Sequence, residues 1–168
     1  MRILLLAPHP FFQERGTPIA VNLLLRVLSE TGHTVDVLTY HLGENVSHPN
    51  VTINRIADLP SIRHVRPGLS LNKIVCDYRM CRKAVRMAKT SRYDIVHAVE
   101  ESVFMARRIK RLTGTPYIFD MDSSMPSQIV ERYPWLSFML PFMRVFERRA
   151  IRGADAVVLR LFEQADAG

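Results

Sequence analysis

The sequence predicts a single α/β domain built on an open parallel sheet with helices on both faces. Short apolar runs alternate with longer stretches of helical period, the pattern of strands joined by crossover helices. The chain has 168 residues, 48% of them hydrophobic, which suits one domain with a core of its own. Polar residues gather where the apolar runs end, and parallel sheets open their ligand crevice there.

Each element has its own signal. Arg2–Ala7 is an apolar run and reads as the first strand. A loop with Pro8, Pro10 and Gly16 leads to a helix over Pro18–Thr31, where Ile19, Leu23, Leu24, Val27 and Leu28 share one face. Pro18 suits the first helical position, and Gly32 suits the stop. Thr34–Tyr40 and Asn50–Ile56 read as strands. After a connection punctuated by Pro60, Pro67 and Gly68, Ser70 is placed to cap a helix from Leu71 to about Thr90. Tyr93–Ala98 reads as a strand, Glu101–Thr113 as a helix and Pro116–Met121 as a strand. A last helical region leads to a strand at Ala154–Leu159, and Phe162–Gly168 is weakly patterned.

Composition narrows the function. The formal net charge is +7, and all but four of the cations are arginine. Arginine's fork suits phosphate, so phosphorylated small molecules, anionic lipid and nucleic acid all enter as partners. Nucleic acid is disfavoured, because no helix-turn-helix or zinc pattern and no aromatic strand platform accompanies the charge. Cys76 and Cys81 match no zinc or redox spacing and read as reduced thiols of a cytoplasmic protein. The sequence has no apolar run long enough for a membrane span and no cleavage site of a signal peptide.

The crevice rule selects the candidate site. After the first strand come His9, Gln13, Glu14, Arg15, Gly16 and Thr17; after the second, Tyr40, His41 and Glu44. After Ile95–Val96 come His97, Glu100, Glu101 and Ser102. After Tyr117–Phe119 come Asp120, Asp122, Ser123 and Ser124. Gly16 before a helix lets backbone N–H groups approach a phosphate or a sugar hydroxyl. The GxGxxG fingerprint is absent, which disfavours a nicotinamide or flavin enzyme.

Two local matches are set aside. Ala7-Pro8-His9-Pro10 is similar to the opening of zinc-dependent deacetylases, but Phe11 and Phe12 stand where metal-binding carboxylates belong. Asp120-Met121-Asp122-Ser123-Ser124 is similar to the first motif of haloacid-dehalogenase phosphatases. It falls too late in the chain for the remaining parts of that chemistry to follow.

Taken together, these pieces resemble the N-terminal domain of a family 4 retaining glycosyltransferase of GT-B architecture. The match rests on Arg2-Ile3-Leu4-Leu5-Leu6 with Pro8, on the loop glycine before Val21-Asn22-Leu23-Leu24-Leu25, and on Thr31 to Thr39. It continues through Tyr93-Asp94-Ile95-Val96-His97-Ala98 and Arg152-Gly153-Ala154-Asp155-Ala156-Val157-Val158.

The resemblance implies that residues 1–168 form a Rossmann-like, acceptor-side domain. A C-terminal, donor-binding domain is absent, so the chain alone is expected to be inactive. It also implies transfer of a hexose from a nucleotide-sugar co-substrate, without a further cofactor or metal, to a sugar or lipid-linked acceptor. Glu100 is then the candidate catalytic residue, and Arg15, Gly16 and Thr17 form the donor-phosphate loop. His9, Gln13, His97, Glu101, Asp122 and Ser123 fall on the acceptor side. Two positions depart from the family pattern: Arg15 replaces the first of two loop glycines, and Val99 replaces a histidine near the reacting sugar. Val99 motivates an alternative, a non-catalytic binding module or partner subunit of the same fold.

Arginines also follow an apolar stretch. Pro134 to Met143 includes Trp135, Phe138 and Phe142, and Arg144, Arg148, Arg149 and Arg152 come after it. Such a stretch suits an anionic membrane surface. The expected location is the cytoplasm, peripherally at the inner face of the membrane.

Overall fold

The computed structural model describes residues 1–14, 16–65, 70–121 and 125–159. In chain order these form β1 (Arg2–Ala7), α1 (Gly16–Glu30), β2 (Thr34–Thr39), β3 (Val51–Arg55) and α2 (Leu71–Thr90). Then come β4 (Ile95–Val99), a 3-10 turn (Glu100–Ser102), α3 (Val103–Thr113), β5 (Tyr117–Met121) and α4 (Met125–Arg132). A 3-10 segment (Pro134–Met139), α5 (Leu140–Gly153) and β6 (Ala156–Leu159) complete the described order.

Every strand pairing is parallel, and the strand order is β3-β2-β1-β4-β5-β6. β1 is central, with Ile3 facing Val35 on one side and Ile95 on the other. Its side chains alternate between two cores. Ile3, Leu5 and Ala7 pack with Val21 and Leu25 of α1. Leu4 and Leu6 pack with Cys76, Met80 and Ala84 of α2, Ala106 and Ile109 of α3, and Ala150 of α5. A strand buried on both faces explains why Leu4, Leu5 and Leu6 are an unbroken apolar run.

The predicted fold class is therefore observed, and most element ends lie within two residues of those predicted. Ser70 caps α2 as expected, its Oγ accepting from Lys73 N at 3.2 Å. Three readings are corrected. α1 packs on the sheet through Val21 and Leu25, while Ile19, Leu23 and Val27 stand exposed, because apolar residues lie on more than one side of this helix and period alone does not choose the face. α1 begins at Gly16 rather than Pro18, so the glycine is the first helical residue. The last helical region is three pieces, and a break falls before Pro134, which lacks an N–H and restricts the residue before it.

The amino ends of the strands are stitched by charge. The Arg2 guanidinium lies 2.9 Å from Asp36, and the Tyr93 hydroxyl donates to the same carboxylate at 2.9 Å. Burial, then the bond to Asp36, pushes the Tyr93 phenol up to about 12. Asp94 accepts from Arg2 N at 2.6 Å. Asp155 accepts from Tyr117 N and pairs with Lys110 at 2.7 Å. Lys110, then the Tyr117 amide, holds its carboxyl below the usual range. Two acids of the family-like segments, Asp94 and Asp155, thus hold strands together at the end away from the crevice.

At the opposite end, the loop after β1 lies against the loop after β2. Phe11 N donates to Leu42 O, and Phe12 and Glu44 exchange two backbone bonds at 2.8 and 3.0 Å. Gly43, at φ +110°, lets this happen, because a Cβ there would sit 2.4 Å from the Phe11 carbonyl. Gly43→Ala is expected to cost about 2–4 kcal/mol through backbone overlap and positive φ. The measurement is a lower urea midpoint with unchanged m-value.

Candidate functional site

The carboxyl ends of β1, β2, β4 and β5 bring a set of ionisable groups to one side of the sheet. β4 stops at Val99, and the chain turns sharply through Glu100, whose φ of +50° is rare outside glycine. Holding a side-chain-bearing residue in that region costs about 1–2 kcal/mol. Ser102 fixes the turn, its Oγ 2.7 Å from Val99 O and 3.1 Å from Leu6 O. The strain delivers the Glu100 carboxylate to α1: Thr17 Oγ1 donates to Glu100 Oε1 at 2.9 Å. The acid that follows β4 is thereby fixed at the positive end of the α1 dipole.

Beside it lies a buried charge network. Lys73, in the first turn of α2, pairs with Glu101 and lies 3.6 Å from Asp77. Its ammonium also donates to the Tyr40 hydroxyl at 3.1 Å and to Pro8 O at 3.3 Å. The Tyr40 hydroxyl in turn donates to Asp77 Oδ1 at 2.5 Å. One ammonium thus joins α2 to the ends of β1, β2 and β4. Burial pushes the Lys73 pKa down and the Asp77 pKa up. Burial, then Asp77, pushes the Tyr40 phenol far above its usual range.

On the α1 side of the sheet, His97 Nε2 lies 3.4 Å from Asp120 Oδ2, with both side chains buried. His9 is buried where β1 ends; its Nδ1 is 3.2 Å from Pro10 O, and its carbonyl accepts from Thr39 Oγ1. It forms a wall of the crevice. Gln13 is half-buried on the same loop, and Gly16 stands exposed, with open space around the position of a Cβ.

Of the residues predicted from sequence, the structure joins Thr17 to Glu100 directly and gathers Gly16, His9, Gln13, Glu101 and His97 around the same strand ends. Arg15, Asp122 and Ser123 lie outside the described residues. Lys73 and Asp77 were not among the expected site residues. Their signal was present: a lysine in a helix's first turn opposes the macrodipole, and Lys before Asp at i,i+4 is the weaker order. A lysine so placed marks a partner elsewhere, here Glu101.

The crevice is acidic although the protein is basic. Among the described residues it presents Glu100, Glu101, Asp77 and Asp120 against Lys73. Carboxylates accept hydrogen bonds from hydroxyl groups through both oxygens, which suits a polyhydroxylated ligand. Among the described residues no three His, Cys, Asp or Glu side chains group in a way that could hold a metal ion.

The model of the glycosyl transferase 4-like domain matches residues 15–159. This chain belongs to that family. Its fold agrees with solved structures of glycosyltransferases. Sucrose-phosphate synthase from Thermosynechococcus elongatus superposes with a TM-score of 0.69 at 16% identity, over 93% of this chain and 41% of the other. UGT2 of Phytolacca americana, solved with UDP-2-fluoro-glucose and pterostilbene, gives 0.56 at 12% identity, over 95% and 48%. Arabidopsis thaliana UGT89C1, solved with UDP, gives 0.54 at 15%, over 97% and 45%. No curated protein matches the sequence. The glycosyl transferase 4-like chain spans less than half the length of each of these solved structures.

Proposed function

We propose that this chain is the acceptor-side half of a retaining glycosyltransferase, which moves a hexose from a nucleotide-sugar to an acceptor hydroxyl. The observation that carries the reading is the join of Glu100 to Thr17 at the first turn of α1, at the carboxyl end of β4. A helix N-terminus offers unpaired N–H groups and positive potential to a diphosphate. Glu100 Oε1 engages Thr17, and the carboxylate's remaining acceptor capacity serves a sugar hydroxyl. The donor's leaving phosphate and the acceptor hydroxyl then meet above α1. In that scheme the protein supplies position and charge stabilisation, with no side chain attacking the sugar. Arg15, Asp122 and Ser123 keep their proposed roles on the donor and acceptor sides. The co-substrate is the nucleotide-sugar itself, and no other cofactor enters the scheme.

The proposal assigns most nucleotide contacts to a second, C-terminal domain, so the 168-residue chain alone is expected to show no transfer. UDP-2-fluoro-glucose in one of the two UGT structures and UDP in the other support a nucleotide-sugar donor, and pterostilbene in the first supports a separate acceptor. One observation favours a second reading, a non-catalytic module: buried Val99 stands where the family pattern carries a histidine.

Gly16→Val separates fold from function. The position has room for a side chain, so stability is expected to change by less than about 1 kcal/mol. In the full protein the donor KM is expected to rise about tenfold, as the branched side chain blocks approach to the helix N-terminus. Mass-spectrometric screening of the full protein against donor and acceptor panels supplies the substrates. An unchanged KM overturns the donor-loop assignment, and the absence of transfer with every pair favours the non-catalytic module.

A further inference from the structure

We infer that the 3-10 segment Pro134–Met139 and α5 form a docking surface for an anionic lipid bilayer. Large apolar side chains stand exposed along it: Trp135 is 70% exposed, Phe138 73% and Phe142 60%, with Val145 beside them. Isolated exposed apolar residues are ordinary, but a contiguous run of aromatics marks an interaction site.

The chemistry is segregated along the helix axis. Apart from exposed Arg144, the segment and the first turns of α5 are apolar, while Arg148, Arg149 and Arg152 are exposed in its last turns. Arg149 follows Phe142 by seven residues, about 10 Å along an α-helix. Interfacial segments bury their apolar face about 5–10 Å into the headgroup and acyl boundary. With Phe142 and Trp135 at that depth, Arg148 and Arg149 stand level with lipid phosphates. From Pro134 to Gly153 four arginines face one carboxylate, Glu147, so the charge complements an anionic surface.

Position in the fold gives the contact a consequence. Tyr117, which opens β5, donates to Ala150 O, and Gly153 O accepts from Lys110. The last turn of α5 therefore sits at the amino ends of the strands. Its first turn, about 20 Å away along the helix, reaches the carboxyl ends, where Glu100 and Thr17 lie. A bilayer touching Trp135 and Phe142 stands on the crevice side of the sheet, and an acceptor carried in that bilayer meets the crevice without leaving it. The docking itself stands apart from the transferase reading.

The test is binding of the full protein to phosphatidylcholine vesicles with and without about 30% phosphatidylglycerol. Trp135 emission, taken as the difference between wild type and Trp135→Phe, is expected to shift to the blue with the anionic vesicles only. Arg148→Gln/Arg149→Gln is expected to weaken co-sedimentation about 25-fold, about fivefold per charge. Phe138→Ser/Phe142→Ser is expected to abolish it. All are surface changes, and an unfolding midpoint like that of wild type confirms the fold. Unchanged Trp135 emission, equal binding by the arginine variant, or a lipid-independent dimer held by these aromatics each overturns the proposal.

Discussion

Lys73→Met is expected to destabilise the domain by about 3–5 kcal/mol, the cost of leaving buried charges without their partner. The methionine fills the volume of the lysine stem but leaves Glu101, Asp77 and the Tyr40 hydroxyl around an apolar group. Urea unfolding gives the magnitude, and its pH dependence gives the cause. Burial already pushes the Asp77 pKa up, and with the ammonium gone nothing pulls it back, so Asp77 holds a folded pKa above its unfolded one. A carboxyl raised in the folded state contributes stability below its unfolded pKa and loses it as pH rises through the folded pKa. The variant therefore regains stability between neutral pH and about pH 4. A loss that does not recover on acidification points to packing rather than charge. Because Lys73 also holds Pro8 O, the variant loosens the loop carrying His9 and Gln13.

Glu100 carries the second large effect, and two substitutions divide it. Glu100→Gln keeps the size and removes the charge; in the full protein kcat is expected to fall about 100-fold or more. Stability is expected to move by no more than about 1 kcal/mol, since the Thr17 hydroxyl still finds an acceptor. Glu100→Gly and Glu100→Ala both delete the carboxylate, but only glycine relieves the φ of +50°. Glu100→Gly is expected to be more stable than Glu100→Ala by about 1 kcal/mol, with transfer lost in both. Equal stability of the two removes the argument that strain is stored there to aim the acid.

β1, α1 and β2 were legible as elements from their apolar periods and from Gly32 at the helix end, but the buried face of α1 was not, since Val21 and Leu25 pack on the sheet while Ile19, Leu23 and Val27 stand exposed. The α2 start was legible from Ser70 alone, since a capping hydroxyl works within three residues. What stayed hidden depends on contacts between distant parts of the chain. Lys73 meets Glu101 across 28 residues and Pro8 across 65. Nothing local to Glu100 announces a left-handed backbone, because glycine or asparagine is the usual tenant. The need for glycine at position 43 likewise comes from a distant contact, the Phe11 backbone packed against it. At the site, strand-end position selected Glu100, Glu101, His97 and Thr17, while Lys73 and Asp77 enter from a helix that the crevice rule does not cover.

In the proposed transfer with retention, Glu100 and the first turn of α1 supply one wall of the cleft. The direct measurement is proton NMR of the anomeric signal during turnover by the full protein, with wild type and Glu100→Gln run on the same nucleotide-sugar and acceptor. Wild type is expected to give a product with the donor's anomeric configuration, and the variant the same product about 100-fold more slowly. An inverted product, or equal rates from the two proteins, would contradict the proposal.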